Sequence, residues 1–175
     1  MIHHLAIAAK DFERSHRFYT EAMGFELVKV VEAANPEGGG WTRHVFYDTG
    51  GGSLFALWDL GPAEGMPEWN AGISSGAGLP WWVNHVAFEC AGPEALEDHK
   101  QRWLDHDLKV LGVEHEFINS IYTRDPDGNL VEWTYKTREL SEADRIEARE
   151  MLARAEPGEL RDYPVEVFRP TVKAR

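Results

Sequence analysis

The feature that most constrains this chain is an internal duplication. The run His4–Ile7 (HLAI) returns as His85–Phe88 (HVAF), and Gly52–Trp58 (GSLFALW) returns as Gly128–Thr134 (GNLVEWT). An offset of about 80 residues is longer than the repeats of solenoids, so the pattern is one module used twice.

Local patterning gives each module the same order of elements. Ile2–Ala9 alternates as a strand. Asp11 is a suitable N-cap for a helix over Phe12–Met23, which gathers Phe12, Phe18, Tyr19, Ala22 and Met23 on one face and stops at Gly24. Strands are expected over Phe25–Glu32, His44–Asp48 and Leu54–Asp59, with turns at Pro36, Gly38–Gly40 and Gly50–Gly52. The second half repeats this: strand Val83–Cys90, helix Pro93–Leu108 with Leu96, Trp103 and Leu104 inward, then strands Lys109–Phe117, Ser120–Arg124 and Leu130–Lys136. The fold class is therefore α+β, with two tandem βαβββ modules. Module one spans 2–59 and module two 83–136, together one domain over 1–136.

Residues 60–82 join the modules. The segment carries Gly61, Gly65, Gly72, Gly76 and Gly78, with Trp69, Trp81 and Trp82. It reads either as a mobile lid over a site or as a plain connector. Residues 137–175 form an extension: a charged helix over Ser141–Ala155, with Ser141 and Asp144 as a capping pair, then an extended tail, Pro157–Arg175, lying on the surface or on a partner subunit.

Charge and cysteine content exclude several classes of function. The 175 residues hold 30 acidic and 18 basic side chains, a formal net charge of −12, which argues against nucleic acid and anionic membranes as partners. Cys90 is the one cysteine, which rules out an internal disulfide framework and a cysteine-rich zinc site and fits a reducing cytoplasm. No apolar run approaches the ~20 residues of a membrane helix. Leu5–Ala9 is too short and too near Lys10 and Asp11 for a secretion signal.

Strand alternation then sorts the polar residues. His4, Ala6 and Ala8 share one face of the first strand, His85 and Ala87 one face of the fifth, and Leu130, Glu132 and Thr134 one face of the last. Each of these faces carries a single ligand-type residue, and the small alanines leave room beside it. His4, His85 and Glu132 make a two-histidine, one-carboxylate set, the donor set of non-haem Fe(II) or Mn(II) with positions open for substrate. His3 falls on the opposite face of its strand. His16, His99 and His106 fall in helices and read as surface or packing residues.

Taken together, the paired βαβββ modules, the openings His4–Asp11 (HLAIAAKD) and Asn84–Phe88 (NHVAF), and the ending Asp125–Glu132 (DPDGNLVE) resemble the vicinal oxygen chelate superfamily. That superfamily includes glyoxalase I, extradiol ring-cleaving dioxygenases, fosfomycin-resistance thiol transferases and methylmalonyl-CoA epimerases. The resemblance covers about residues 2–136. It implies an open barrel-like cleft around a divalent metal, a small-molecule substrate and, commonly, a homodimer.

Ala56 stands where glyoxalase I and the epimerases place a fourth ligand, so three ligands remain and an isomerase would lack its second carboxylate. Val113–Glu132 resembles the extradiol dioxygenase signature, which implies that His115 and Tyr122 donate hydrogen bonds to substrate or oxygen atoms. One departure from that pattern concerns the acid–base histidine, whose place is taken by Gly52 and Ser53; His44, one strand earlier, is the nearest candidate for that role. The fosfomycin enzymes' threonine and lysine fall at Ala6 and near Gly112, which disfavours that activity. The expectation is a cytoplasmic Fe(II)-dependent dioxygenase acting on a catechol-like aromatic. Two alternatives stay open. One is a glyoxalase-like lyase, isomerase or epimerase using Zn(II) or Ni(II). The other is a non-catalytic protein that binds an aromatic drug through Trp58, Trp69, Trp81 and Trp82.

Overall fold

In the computed structural model, which describes residues 2–37, 39–62 and 67–171, the duplication appears as two separate sheets. Gly38 and Gly65, named above in the loop and the connector, lie outside the described residues. Module one comprises β1 (His4–Ala8), α1 (Phe12–Arg17), β2 (Glu26–Ala34), β3 (Trp41–Asp48) and β4 (Leu54–Asp59), with sheet order β1-β4-β3-β2. Module two comprises β5 (His85–Glu89), α2 (Pro93–Asp105), β6 (Val110–Glu114), β7 (Ile118–Arg124) and β8 (Leu130–Lys136). The extension adds α3 (Glu142–Leu152) and β9 (Val165–Phe168), and sheet two runs β5-β8-β7-β6-β9. The architecture is mixed α+β with two open sheets and, among the described residues, no closed barrel.

The register repeats along with the elements. The parallel pair β1–β4 sets His4 against Leu54 and Ala6 against Ala56. The parallel pair β5–β8 sets His85 against Leu130 and Ala87 against Glu132. Each strand's other face turns to its helix, and the two helix sides share one core. Tyr19 packs on Phe55 with ring centroids 4.3 Å apart, Phe25 on Phe88 at 4.9 Å and on Trp133 at 5.9 Å, and Phe55 on Phe88 at 5.9 Å. These rings bring both modules into a single hydrophobic cluster. The faces that carry His4 and Glu132 are therefore the ones directed away from the shared core.

Some element ends shift, since β3 starts at Trp41 rather than His44, α2 stops at Asp105 rather than Leu108 and β6 stops at Glu114 rather than Phe117, and two features differ in kind from the sequence expectation. The helix expected over Phe12–Met23 is α-helical only to Arg17, and Phe18–Ala22 widens into a π-turn in which the Met23 N–H donates to the Phe18 carbonyl at 3.0 Å. Phe18 and Tyr19 are both buried in the core at this turn. The tail is not merely extended. Val165–Phe168 pairs antiparallel with β6 as a fifth strand of its own chain's sheet. The Ser141–Asp144 capping box forms as expected at the start of α3.

The DPDG turn joins the modules. Asp125, 5% exposed, accepts from the Asp127 and Asn129 amides at 2.9 and 2.8 Å, from the Asn129 side chain at 3.0 Å and from the Tyr19 hydroxyl at 2.9 Å. Asp127 accepts from the Lys10 amide and the Ser15 hydroxyl of module one, each at 3.3 Å. Gly128 sits at φ +83°, where a side chain would be strained. The latter part of the connector is tied down as well: the Ile73 amide donates to Asn129 Oδ1 at 2.7 Å, and the Asn84 side chain donates to the Ile73 carbonyl at 3.1 Å.

Candidate functional site

The free face of sheet two holds a continuous polar row. Register places Ala87 beside Glu132, Glu132 beside Tyr122, and Tyr122 beside Leu111. Glu132 is only 2% exposed, yet its Oε2 lies 3.3 Å from Nε2 of His85, a residue that remains open to solvent. The Tyr122 hydroxyl and His115 Nε2 are 2.9 Å apart. Burial, chiefly, pushes the Tyr122 pKa up to about 12; a hydrogen bond to Ser120 opposes this, and the charge and hydrogen bonding of Glu132 add to it. The phenol therefore stays protonated near neutral pH.

A carboxylate buried this deeply needs more than one imidazole for a partner. Its solvation by a divalent cation, with the His85 imidazole on the same ion, satisfies that need. Imidazole nitrogen beside carboxylate oxygen is a donor set for first-row transition metals. The residues present thus fit the metal that the sequence pattern implies, with two of the three expected ligands side by side.

His4 lies on the free face of sheet one. Its Nδ1 is 2.8 Å from Nδ1 of His3, and its ring is 5.8 Å from that of His44 and 5.4 Å from that of Phe46. His3, although expected on the other face, is thus drawn beside His4. His44 stacks on Trp58 with centroids 4.0 Å apart and planes at 7°. Its Nε2 is buried with no hydrogen-bond partner, and its pKa is lowered by burial first and by His4 second. Among the described residues no three His, Cys, Asp or Glu side chains gather at one point, so His4 does not meet His85 and Glu132 within one copy.

The remaining expectations sort by location. His99 packs, stacked on Trp133 at 3.9 Å, and His16 bonds the Tyr47 hydroxyl at 2.9 Å. Ser53 donates to the Ile2 carbonyl at 2.8 Å, which leaves it a turn residue. Trp81 lies against Arg124, whose guanidinium is 4.5 Å from the ring centre, and Trp69 lies under Lys10. Two features were missed by sequence reasoning. One is the tail's proximity to the site, since the Tyr163 ring is 5.3 Å from that of His115. The alternation of Val165, Val167 and their neighbours was the available signal. The other is a cavity of about 460 Å³ on the helix side of sheet two, between α2 and β9, lined by Leu96, Lys100, Tyr135 and Phe168 and facing away from Glu132.

With two βαβββ modules in matched register and a His–Glu pair at the corresponding strands, family membership can be stated. Residues 1–133 match the model of the Glyoxalase/Bleomycin resistance protein/Dioxygenase superfamily, and the chain belongs to that superfamily. Similar solved structures include a glyoxylase/bleomycin resistance protein/dioxygenase domain from a Frankia species, with TM-score 0.57 and 17% identity over 78% of this chain and 97% of that one. TnmS3, an antibiotic-binding protein from a Streptomyces species, gives TM-score 0.53 and 16% identity over 78% and 96%. The fosfomycin resistance protein FosX from Listeria monocytogenes gives 0.52 and 15% over 82% and 97%. At these identities the likeness is one of fold. No curated protein matches the chain. Members of the superfamily include enzymes and non-catalytic proteins, and they commonly bind small molecules and divalent metals. No helix among the described residues is long and apolar enough to cross a membrane.

Proposed function

We propose that this protein is an Fe(II)-dependent dioxygenase of the extradiol type, acting in the cytoplasm on a small catechol-like aromatic. The observation that carries the reading is buried Glu132 beside His85, with Tyr122 and His115 hydrogen-bonded on the same face. His85 and Glu132 would hold the metal, and His4 of a second copy would supply the third ligand, because the faces bearing these residues both look away from the shared core. The active form is therefore a homodimer. A bound Fe(II) would supply chelation of the substrate's two oxygens and access to O₂ chemistry.

The chain's own residues do the rest. Tyr122, held protonated by burial, donates to negative charge developing on a substrate oxygen, and His115 orients that hydroxyl from behind. His44, whose ring lies 5.8 Å from that of His4, is the residue assigned to accept a proton from the catechol as it binds. Ala56, fully buried, gives neither a fourth ligand nor the second carboxylate base of an isomerase.

Metal analysis of anaerobically purified protein, followed by oxygen uptake with a panel of catechols, tests the reading. A yellow ring-fission product with matching oxygen consumption is expected. Tyr122→Phe should slow turnover about 10²–10³-fold while leaving metal content unchanged. Fully iron-loaded protein that consumes no oxygen with any catechol would overturn the dioxygenase reading. Turnover of the methylglyoxal–glutathione adduct without oxygen would replace it with an isomerase.

A further inference from the structure

We propose that the C-terminal extension is part of the substrate site, and that β9 forms an apolar shelf for the tail of an elongated substrate. The inference rests on reading His85 and Glu132 as the centre that binds the substrate's oxygens. The matched family region ends at residue 133, and the similar structures cover 78–82% of this chain while using nearly all of their own length. β9 lies beyond that matched family region.

Register puts Val167 on the same face as the polar centre. The row across sheet two runs Glu132, Tyr122, Leu111, Val167, and the next runs Thr134, Ser120, Val113, Val165. Partners directly opposite in a ladder point to the same side. The face therefore grades from carboxylate and phenol to four aliphatic side chains. Val165 and Val167 are 55% and 49% exposed, and an aliphatic pair left open in line with polar anchors complements a ligand polar at one end and apolar at the other. Three strand spacings separate Glu132 from Val167, about 14 Å. That reach exceeds a single ring bound by its oxygens, so the substrate class is a catechol with an alkyl or aryl substituent.

The shelf is anchored from behind. Phe168 faces the helix side, lies under Lys100 with Nζ 4.3 Å from its ring centre, and occupies the space where a side chain on Gly112 would sit, its ring 3.0 Å from the position of a Cβ. Arg161 pairs with Glu116 beside the β6–β7 turn. A strand held on its far side presents its near side at fixed height.

The test is calorimetric titration of the metal-loaded full chain with two probes, catechol and 4-hexylcatechol. Wild type should bind the hexyl probe at least about tenfold more tightly, the return from burying two or more methylenes. Val167→Asp, at an exposed position, should bring the two affinities within about threefold, and Val167→Leu should keep the preference. A preference unchanged in Val167→Asp, with both probes bound, overturns the shelf and leaves the centre standing. The same holds if Val167→Asp instead dissociates the dimer, since the shelf would then be covered by a second copy. Failure of wild type to bind either probe overturns the reading of the centre and the shelf with it.

Discussion

In sheet one the row through the middle of the free face reads Ala6, Ala56, Phe46; in sheet two the matching row reads Ala87, Glu132, Tyr122. The two rows occupy the same places in the same ladders, one strand pair parallel and the next antiparallel. The small alanine recurs beside a histidine in both. What changes is that a carboxylate and a phenol in module two are a methyl and a phenyl in module one. A scaffold that only needed to fold would be satisfied by either row. The buried carboxylate is the costly version, and the copy that carries it also carries a histidine 3.3 Å away. On the proposed reading, the difference puts the chemistry in module two and leaves module one to contribute His4, His44 and apolar walls.

The comparison can be broken by making each sheet resemble the other. Glu132→Ala turns the row of sheet two into that of sheet one. Metal affinity should fall about 100-fold or more, since even partners behind the ligands are worth 10–100-fold. The circular dichroism spectrum should be unchanged, because removing a buried charge leaves the core intact. Elemental analysis after dialysis checks it, and full metal content in the variant would remove Glu132 from the centre.

The reverse change, Ala56→Glu, places a carboxylate at a fully buried position between Ala6 and Phe46. No donor stands beside it in the row, so the variant should lose about 3 kcal/mol or more in urea unfolding. A wild-type midpoint would mean that the free face of sheet one tolerates a fourth ligand, and the contrast between the sheets would lose its force.

The edges sharpen the comparison further. In module one β2 is exposed at all nine positions, with Leu27, Val28, Val30 and Val31 open, whereas in module two the corresponding edge, β6, is covered by β9. Gly112→Ala adds a methyl that meets the Phe168 ring. Stability should fall by about 1 kcal/mol, and amide exchange along β6 should rise toward that of β2. Unchanged exchange would show that the tail strand contributes nothing to the edge.

The smallest effect concerns pH. His99, stacked on Trp133, has its pKa pushed down to about 4, by burial first and by Arg102 second. The unfolded chain takes up this proton near pH 6.5 and the folded chain does not. Its contribution to stability is therefore complete above pH 6.5 and is lost as the pH falls toward 4. The ring is partly solvated, so the loss should stay below about 1 kcal/mol. Thermal melts of wild type and His99→Gln across that range check it, with a flatter profile expected for the variant.

Much of this was legible in the chain itself, because the signals are local. Strand alternation over Leu54–Asp59 and Leu130–Lys136 gave both elements their observed bounds, and the duplication gave the matched register that sets Ala56 opposite Glu132's role. Gly24 and Gly128 marked turns that only positive φ allows. Ser141 and Asp144 marked a helix start. Local patterning could not say which face of one module meets the other. That choice was made by Tyr19, Phe25, Phe55, Phe88 and Trp133, residues far apart in sequence whose rings fill one core and turn His4 and Glu132 outward. Nor could it reveal that Asp125 binds Tyr19 across 106 residues, or that an open tail would find the free edge of β6. Side-chain period and turn chemistry are written in neighbouring residues. The pairing of faces and edges depends on what the rest of the chain leaves uncovered.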